Sequence, residues 1–330
     1  MSELLRVKDL VVDFKTRAGN ARVLNHINLD LNQGEILGIV GESGCGKSMT
    51  ALSVMGLVPS PPGQITSGNI SLEGQNLTAL SSRKMREIRG NLISMIFQEP
   101  MTSLNPVFRI GDQIAESVLL HEKVTKKQAW ARAVEMLEKV GIPEPAVRAK
   151  SYPHELSGGM RQRVMIGLAL ACKPKVLIAD EPTTALDVTV QAQIFDLLRD
   201  LQRDTGTAII LITHDMGAVA ELADRVAVMY AGHIIETGST RDILDNPQHP
   251  YTKGLIACVP HLEDNPTDER PYLEEIAGVV PPLTELGSGC AFAPRCQHVM
   301  EKCRFNVPTI DPITDQHKVA CFNVKKEVIA

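Results

Sequence analysis

The chain has 330 residues, room for about two domains at the usual domain size. Hydrophobic residues make up 44% and charged residues 22%, the balance of an ordinary globular protein; a net charge of -5 argues against a polyanion such as DNA, so no nucleic acid is expected as partner. The first ten residues lack the apolar core of a signal peptide, and no run approaches the roughly 18 apolar residues of a membrane span, so the sequence reads as cytoplasmic.

Residues 5–14 partly alternate apolar and polar side chains and predict a strand, and residues 16–22 turn the chain into a second strand ending near Leu31. Antiparallel strands placed ahead of a phosphate loop can form a small β layer against a nucleotide base, with Phe14 either stacked on adenine or simply packed at its strand end. Residues 35–40 predict a buried strand running into Gly41-Glu42-Ser43-Gly44-Cys45-Gly46-Lys47-Ser48, and residues 49–57, starting at Met49, predict the helix that leaves it. The octapeptide fits the phosphate-binding pattern G-x-x-x-x-G-K-S/T without a mismatch. Its backbone N–H groups converge on phosphate oxygens, helped by the positive end of the following helix. Lys47 reaches the β- and γ-phosphates, and the Ser48 hydroxyl takes a place on Mg²⁺.

Pro59, Pro61, Pro62 and Gly63 break that helix; a β segment follows around residues 68–73, then a short charged helix at 83–89 and a buried strand at 92–97 that ends on Gln98. Residues 99–159 read as an inserted helical subdomain: a turn-rich connection, then helical patterns at 110–121 and 126–140. Leu156-Ser157-Gly158-Gly159-Met160 opens a further helix, with Met160, Val164, Leu168 and Ala171 on one face. Residues 175–180 form an apolar strand ending in the adjacent acids Asp180 and Glu181; a helix at 190–203, a strand at 207–213 with His214 at its end, and strands at 226–230 and 233–236 follow. This alternation predicts an α/β fold, a P-loop NTPase with a mostly parallel sheet, an antiparallel β-subdomain and the inserted helices. Such sheets bind ligands at the carboxyl ends of their strands, which lets Gln98, Asp180 and His214 converge on the phosphates. Phosphoryl transfer needs positioning and charge stabilisation. Asp180 is the Mg²⁺ carboxylate, Glu181 the general base for water, Gln98 the amide that meets Mg²⁺ or the lytic water, and His214 the contact to the γ-phosphate that also holds Glu181.

In this order and spacing the phosphate loop, Gln98, Leu156 to Met160, Asp180-Glu181, Ala185-Leu186-Asp187 and His214 resemble the motif set of ABC transporter ATPases, over about residues 1–245. Met160 stands where that signature usually carries Gln, and Cys45 lies within the phosphate loop; neither removes a backbone contact. The resemblance implies a head-to-tail pair of ATPase domains, in which Ser157, Gly158 and Gly159 of one chain close on the γ-phosphate held by the other, with Asp187 beside the nucleotide. A second homologous ATPase subunit is therefore expected, a related chain in a heterodimer or a second copy in a homodimer.

After residue 245 ten prolines between positions 247 and 312 forbid long helices, so residues 246–330 are expected as a loop-rich extension with one helix at 251–258. Residues 246–255 (NPQHPYTKGL), 276–281 (IAGVVP) and 289–296 (GCAFAPRC), with 94–106 (SMIFQEPMTSLNP), resemble the dipeptide/oligopeptide (and nickel) uptake ATPase subunits. That resemblance implies ATP-driven import of peptides or a similar small solute. Two transmembrane permease subunits and an extracytoplasmic solute-binding protein complete such importers, with the ATPase peripheral on the cytoplasmic face of the inner (plasma) membrane. The segment 99–105 is expected to dock a permease. The alternative is a soluble ABC ATPase acting as a clamp in translation or DNA repair; those usually fuse two halves or carry a long coiled coil, and this chain has neither. A scaffold without turnover fits poorly with Lys47, Glu181 and His214 together.

Cys290, Cys296, Cys303 and Cys321 follow the spacing C-x5-C-x6-C-x17-C, unlike the closely paired ligands of common zinc fingers. Four thiolates suit a 4Fe–4S iron–sulfur cluster, and the resemblance points the same way; Zn²⁺ and unligated thiols are the alternatives. Cys45, Cys172 and Cys258 read as small buried hydrophobes.

Overall fold

Four runs of apolar, largely β-branched residues, Ile36–Val40 (β3), Ile93–Ile96 (β6), Val176–Asp180 (β7) and Ala208–Ile212 (β8), are buried at every position. That is the pattern of strands covered on both faces, as parallel sheets require. The computed structural model describes residues 2–17, 19–98, 103–183, 187–258 and 275–324. In it these strands join Arg225–Tyr230 (β9) as a parallel run in the order β9-β3-β8-β7-β6. His233–Ser239 (β10) adds antiparallel to β9. The register pairs Ile39 and Asp180 each with Ile212, so β3, β7 and β8 end level. The residues that follow them, Gly41, Glu181 and Thr213, therefore share one edge of the sheet.

A second, antiparallel sheet is built from Glu3–Thr16 (β1), Gly19–Asn32 (β2), Gly63–Leu72 (β4) and Gln75–Asn76 (β5) in the order β2-β1-β4-β5. Its inner residues, among them Leu10, Leu24, Ile27 and Ile70, share one core with Leu37, Ile39 and Ile178 of the parallel sheet. The expected turn over 16–22 is much tighter, because the strands pair all the way to Thr16 and Gly19. The helix after the phosphate loop, Lys47–Val54 (α1), starts two residues earlier and ends earlier than the apolar pattern suggested.

The inserted helices are Ile110–His121 (α3), Lys126–Lys139 (α4), Pro145–Arg148 (α5) and Gly158–Leu170 (α6), after a short Ser82–Ile88 helix (α2). Ile110, Ile114, Ala115 and Val118 recur at helical spacing on α3 and meet Ala129, Ala133 and Val164 of its neighbours in a core that runs on to Ile96, Leu177 and Leu211 of the parallel sheet. Thr125 and Gln128 close a capping box that fixes the start of α4. Val188–Thr205 (α7), Met216–Leu222 (α8) and Thr240–Asp245 (α9) complete the cassette. The last two were missed from sequence: one or two turns leave too little periodicity to register, and their caps, Asp215 and Ser239, are the surviving signal.

The extension departs from expectation. Beyond Pro250–Ala257 (α10) it forms a second helix, Glu301–Phe305 (α11), and two strands, Asp311–Pro312 (β11) and Lys318–Val319 (β12). β12 pairs with β10, which carries the main sheet into the extension. Pro312 is tolerated because β11 is the edge strand, where a missing N–H leaves no ladder partner unsatisfied. Among the described residues no helix is long and apolar enough to cross a membrane.

Candidate active site

The phosphate loop leaves β3 at Gly41, whose φ of 151° and tight surroundings exclude a side chain: a Cβ there would fall 2.2 Å from the Met229 carbonyl oxygen. Gly46 caps α1 at φ 110° against Leu24. Between them Ser43 and Gly44 are exposed, whereas Cys45 is fully buried and packs into the core, as expected for a small hydrophobe. Burial pushes its thiol up. Lys47, itself buried, donates to the carbonyls of Gly41 at 2.7 Å and Glu42 at 3.1 Å, holding the ammonium across the loop. Met49 is half-buried against the core below.

The Ser48 hydroxyl donates to Asp180 Oδ1 at 3.1 Å, so the two oxygen ligands expected for Mg²⁺ are already neighbours across 132 residues of chain. Hard oxygen donors of this kind suit Mg²⁺. Asp180 is buried, and burial pushes its carboxyl above the ordinary range; Ser48 and Lys47 pull it back while Glu181 pushes further. Glu181 sits with φ 47° and its N–H on the Ile212 carbonyl. Gln98 Nε2 donates to Glu181 Oε2 at 2.8 Å, and His214 Nδ1 lies 3.3 Å from Glu181 Oε1. Two of the three strand-end residues named from sequence, Gln98 and His214, thus meet on the Glu181 carboxylate, while the third, Asp180, bonds Ser48.

Phe14 is half-buried and packs on the core, its ring against the backbone of Gly63, opposite it on β4. Ser157 caps α6 by accepting from the Met160 N–H, and Ser157 and Gly158 are exposed, leaving that helix N-terminus open. Asp187 caps α7 through the Val190 N–H at 2.9 Å; Ala185 and Leu186 lie outside the described residues, as do Glu99 to Thr102. The fully buried Gln162 of α6 donates to the Pro182 carbonyl just past Glu181, a tie between the helical insert and the catalytic edge that sequence reasoning missed. It also missed Tyr251 and Arg295, which reach Glu42 of the phosphate loop from the extension. A Tyr in a short helix and an Arg beside a Cys carry no local signal of so distant a partner.

The four late cysteines do come together. Cys290, Cys296, Cys303 and Cys321 line one small cavity with His249, Phe292 and Phe322. Burial pushes the thiols of Cys290, Cys296 and Cys321 up, and each also feels the neighbouring Cys303. Among the described residues, however, no group of three or more His, Cys, Asp or Glu side chains has the arrangement that would hold a metal ion. The expected metal centre is therefore not preformed.

A phosphate loop, a serine–aspartate pair for the metal and a held carboxylate for the water, all at one sheet edge, with an open helix N-terminus on the inserted subdomain, are the parts of an ABC-type ATPase. Residues 24–184 match the family model described as ABC transporter, and residues 235–303 that described as Oligopeptide/dipeptide transporter, C-terminal region. The Oligopeptide transport ATP-binding protein OppD of Bacillus subtilis is 52% identical, the match covering 97% of this chain and 88% of that protein. The Dipeptide transport ATP-binding protein DppD of the same organism is 50% identical, covering 98% and 95%. A dimeric ATP-binding cassette solved in a post-hydrolysis state with ADP and Pi aligns with a TM-score of 0.66 at 26% identity, covering 72% of this chain and 99% of its own. The chain belongs to the ABC transporter ATP-binding proteins, in the group that carries the oligopeptide/dipeptide transporter C-terminal region.

Proposed function

We propose that this ATPase powers an importer of di- or oligopeptides, or of a related small solute. It works on the cytoplasmic face of the plasma membrane, paired with a second homologous ATPase chain beneath two permease subunits that are fed by an extracytoplasmic binding protein. One observation carries the reading: a complete hydrolytic edge, with Gln98, Glu181 and His214 in contact, lies on the same chain as the extension matched over residues 235–303. The relatives' peptide-transport names support the solute class, and the dimeric solved cassette supports pairing. The clamp alternative has no such support.

In this reading Mg²⁺ neutralises developing phosphate charge when bound. Ser48, Asp180 and Gln98 supply its oxygens, Lys47 and the loop N–H groups of residues 41–48 hold the phosphates, and Phe14 stacks on the base. Glu181 takes the proton of water, held by Gln98 and His214, while Ser157, Gly158, Gly159 and Asp187 face the partner's nucleotide. The catalytic core spans residues 1–245 and the extension 246–330. Residues 99–105 dock the permease; Val107 and Phe108, directly after them, are exposed apolar side chains that a permease loop would cover. The four cysteines of the extension hold a 4Fe–4S cluster, structural or redox-sensing, with Zn²⁺ the competing occupant; four thiolates around one cavity are the donor set that either takes. The test of function is uptake of a labelled dipeptide by proteoliposomes carrying the full importer. Uptake should require ATP inside the vesicles and the binding protein outside, and stop with Glu181→Gln; ATP hydrolysis with no uptake of any peptide would overturn the solute class.

A further inference from the structure

We infer that the C-terminal extension braces the phosphate loop, with Arg295 as a positioning residue that acts on bound nucleotide through Glu42. The Glu42 carboxylate accepts from Arg295 Nη1 at 2.7 Å and from Nη2 at 3.1 Å, a two-pronged pair between residues 253 positions apart. The Arg295 side chain is 4% exposed and that of Glu42 31%, so the guanidinium is buried and held in one geometry while the carboxylate keeps one edge on solvent. The Glu42 N–H donates to Tyr251 Oη at 2.8 Å, and the Glu42 carbonyl accepts from Lys47 Nζ at 3.1 Å. All three polar parts of this loop residue are thus engaged, two by the extension and one by the lysine that reads phosphate.

Arg295 is itself fully committed. Its Nε donates to the Ala277 carbonyl at 2.9 Å, Nη2 also donates to the Ile276 carbonyl at 3.0 Å, and Nη1 also reaches Tyr230 Oη at 3.4 Å. With the two bonds to Glu42, every one of the five guanidinium N–H donors has a place. The guanidinium also lies over the rings of Tyr230 and Phe292, at 5.8 and 5.9 Å. Tyr230, Tyr251 and Phe292 pack mutually with ring centroids 4.8 to 5.5 Å apart, which leaves the arginine one orientation. A tail that only needed anchoring had the whole cassette surface to choose from. This one closes on the loop residue whose carbonyl Lys47 holds. The segment from Cys290 to Cys296 carries both Arg295 and two of the cavity thiols, so unfolding of that cavity withdraws the brace from the loop.

The test uses the full chain and two readouts, equilibrium binding of MgATP and the split between KM and kcat. Arg295→Met and Glu42→Gln are each expected to raise both the Kd and the KM for ATP about tenfold, with kcat falling less than about threefold, because ground-state positioning rather than the chemistry is lost. The double variant should be no worse than the weaker single one, and Arg295→Lys should recover only part, since an ammonium keeps the charge without the fork. Tyr251→Phe removes one hydroxyl and keeps the ring. It should speed hydrogen exchange of the Glu42 amide and raise the Kd about threefold, and it decides the matter if Arg295→Met does not fold. Wild-type MgATP affinity in the singles, additive effects in the double, or unchanged exchange and affinity in Tyr251→Phe would each overturn the inference.

Discussion

His249 should make the weld between cassette and extension acid-sensitive. It is 1% exposed and caps α10, its Nδ1 accepting from the Tyr251 N–H at 3.0 Å while its own backbone N–H donates to Glu236 at 2.9 Å. Burial lowers its pKa from 6.5 to about 4, against a smaller opposing pull from Glu236. The unfolded chain therefore takes up this proton near pH 6.5 and the folded chain only near 4, so between those values the unfolded state binds more protons. Stability is full above pH 6.5 and falls as pH drops toward 4. The gap of 6.5 to about 4, at about 1.4 kcal/mol per pH unit, amounts to about 3 kcal/mol. His249→Asn keeps an oxygen that can cap α10 but removes the titration. Thermal and urea unfolding of both chains between pH 7.5 and 4.5 should show their stability difference shrinking by about 2 to 3 kcal/mol on acidification. His233, also lowered by burial, contributes equally to both chains and cancels in the difference. Parallel pH curves for the two chains would refute the reasoning.

Glu181→Gln should lower ATP turnover at least about a hundredfold while MgATP binding stays within a few fold, because the amide keeps the contacts of the carboxylate but cannot take a proton. Single-turnover kinetics with bound nucleotide checks this, and near-wild-type turnover would sink the general-base role. Lys47→Ala should instead raise the Kd for MgATP by about tenfold or more, read by equilibrium titration, since it removes a charge-assisted contact to phosphate. Anaerobic purification should yield a brown protein with iron and acid-labile sulfide in equal amount, and Cys303→Ser should lose both; a colourless protein with about one zinc per chain would reverse the assignment.

The meeting of Gln98, Asp180, Glu181 and His214 at one sheet edge was legible because these residues sit where strands stop. Gln98, Asp180 and His214 each follow an unbroken apolar run, and a parallel sheet aligns such ends on one side whatever the connections do. The helical insert was legible for a related reason: Ile110, Ile114 and Val118 keep one period through α3. What escaped was either short or remote. Helix α8 has seven residues, too few for a period to emerge, and strands β11 and β12 have two each, which no alternation rule detects. The pairing of Arg295 with Glu42 spans almost the whole chain, and nothing near either residue names the other. The cysteines lie between these cases. Their spacing foretold a shared cavity but not how the thiols stand within it.

Asp180 and Glu181 are consecutive, and consecutive residues of a strand point to opposite faces. Yet Asp180 meets Ser48 while Glu181 meets Gln98 and His214, all at one edge. The backbone resolves this at Glu181, whose φ of 47° breaks the alternation as β7 ends and turns the second carboxylate toward the first. The arrangement costs stability twice. A left-handed conformation costs a residue with a Cβ about 1 kcal/mol or more, and the two carboxylates repel, which is part of what raises the Asp180 pKa. Set against this, among the contacts of Glu181, are hydrogen bonds from Gln98 and the 64%-exposed His214 to a carboxylate that is itself 12% exposed, each worth about 1 kcal/mol or less. Asn tolerates the left-handed region better than Glu and carries no charge. Glu181→Asn should therefore be inactive yet no less stable, with a melting temperature equal to wild type or higher by about 1 to 3 °C. Calorimetry of both chains without nucleotide makes the comparison. A lower melting temperature for the variant would mean that Glu181 contributes more to the fold than its conformation takes away, and the strain argument would fail.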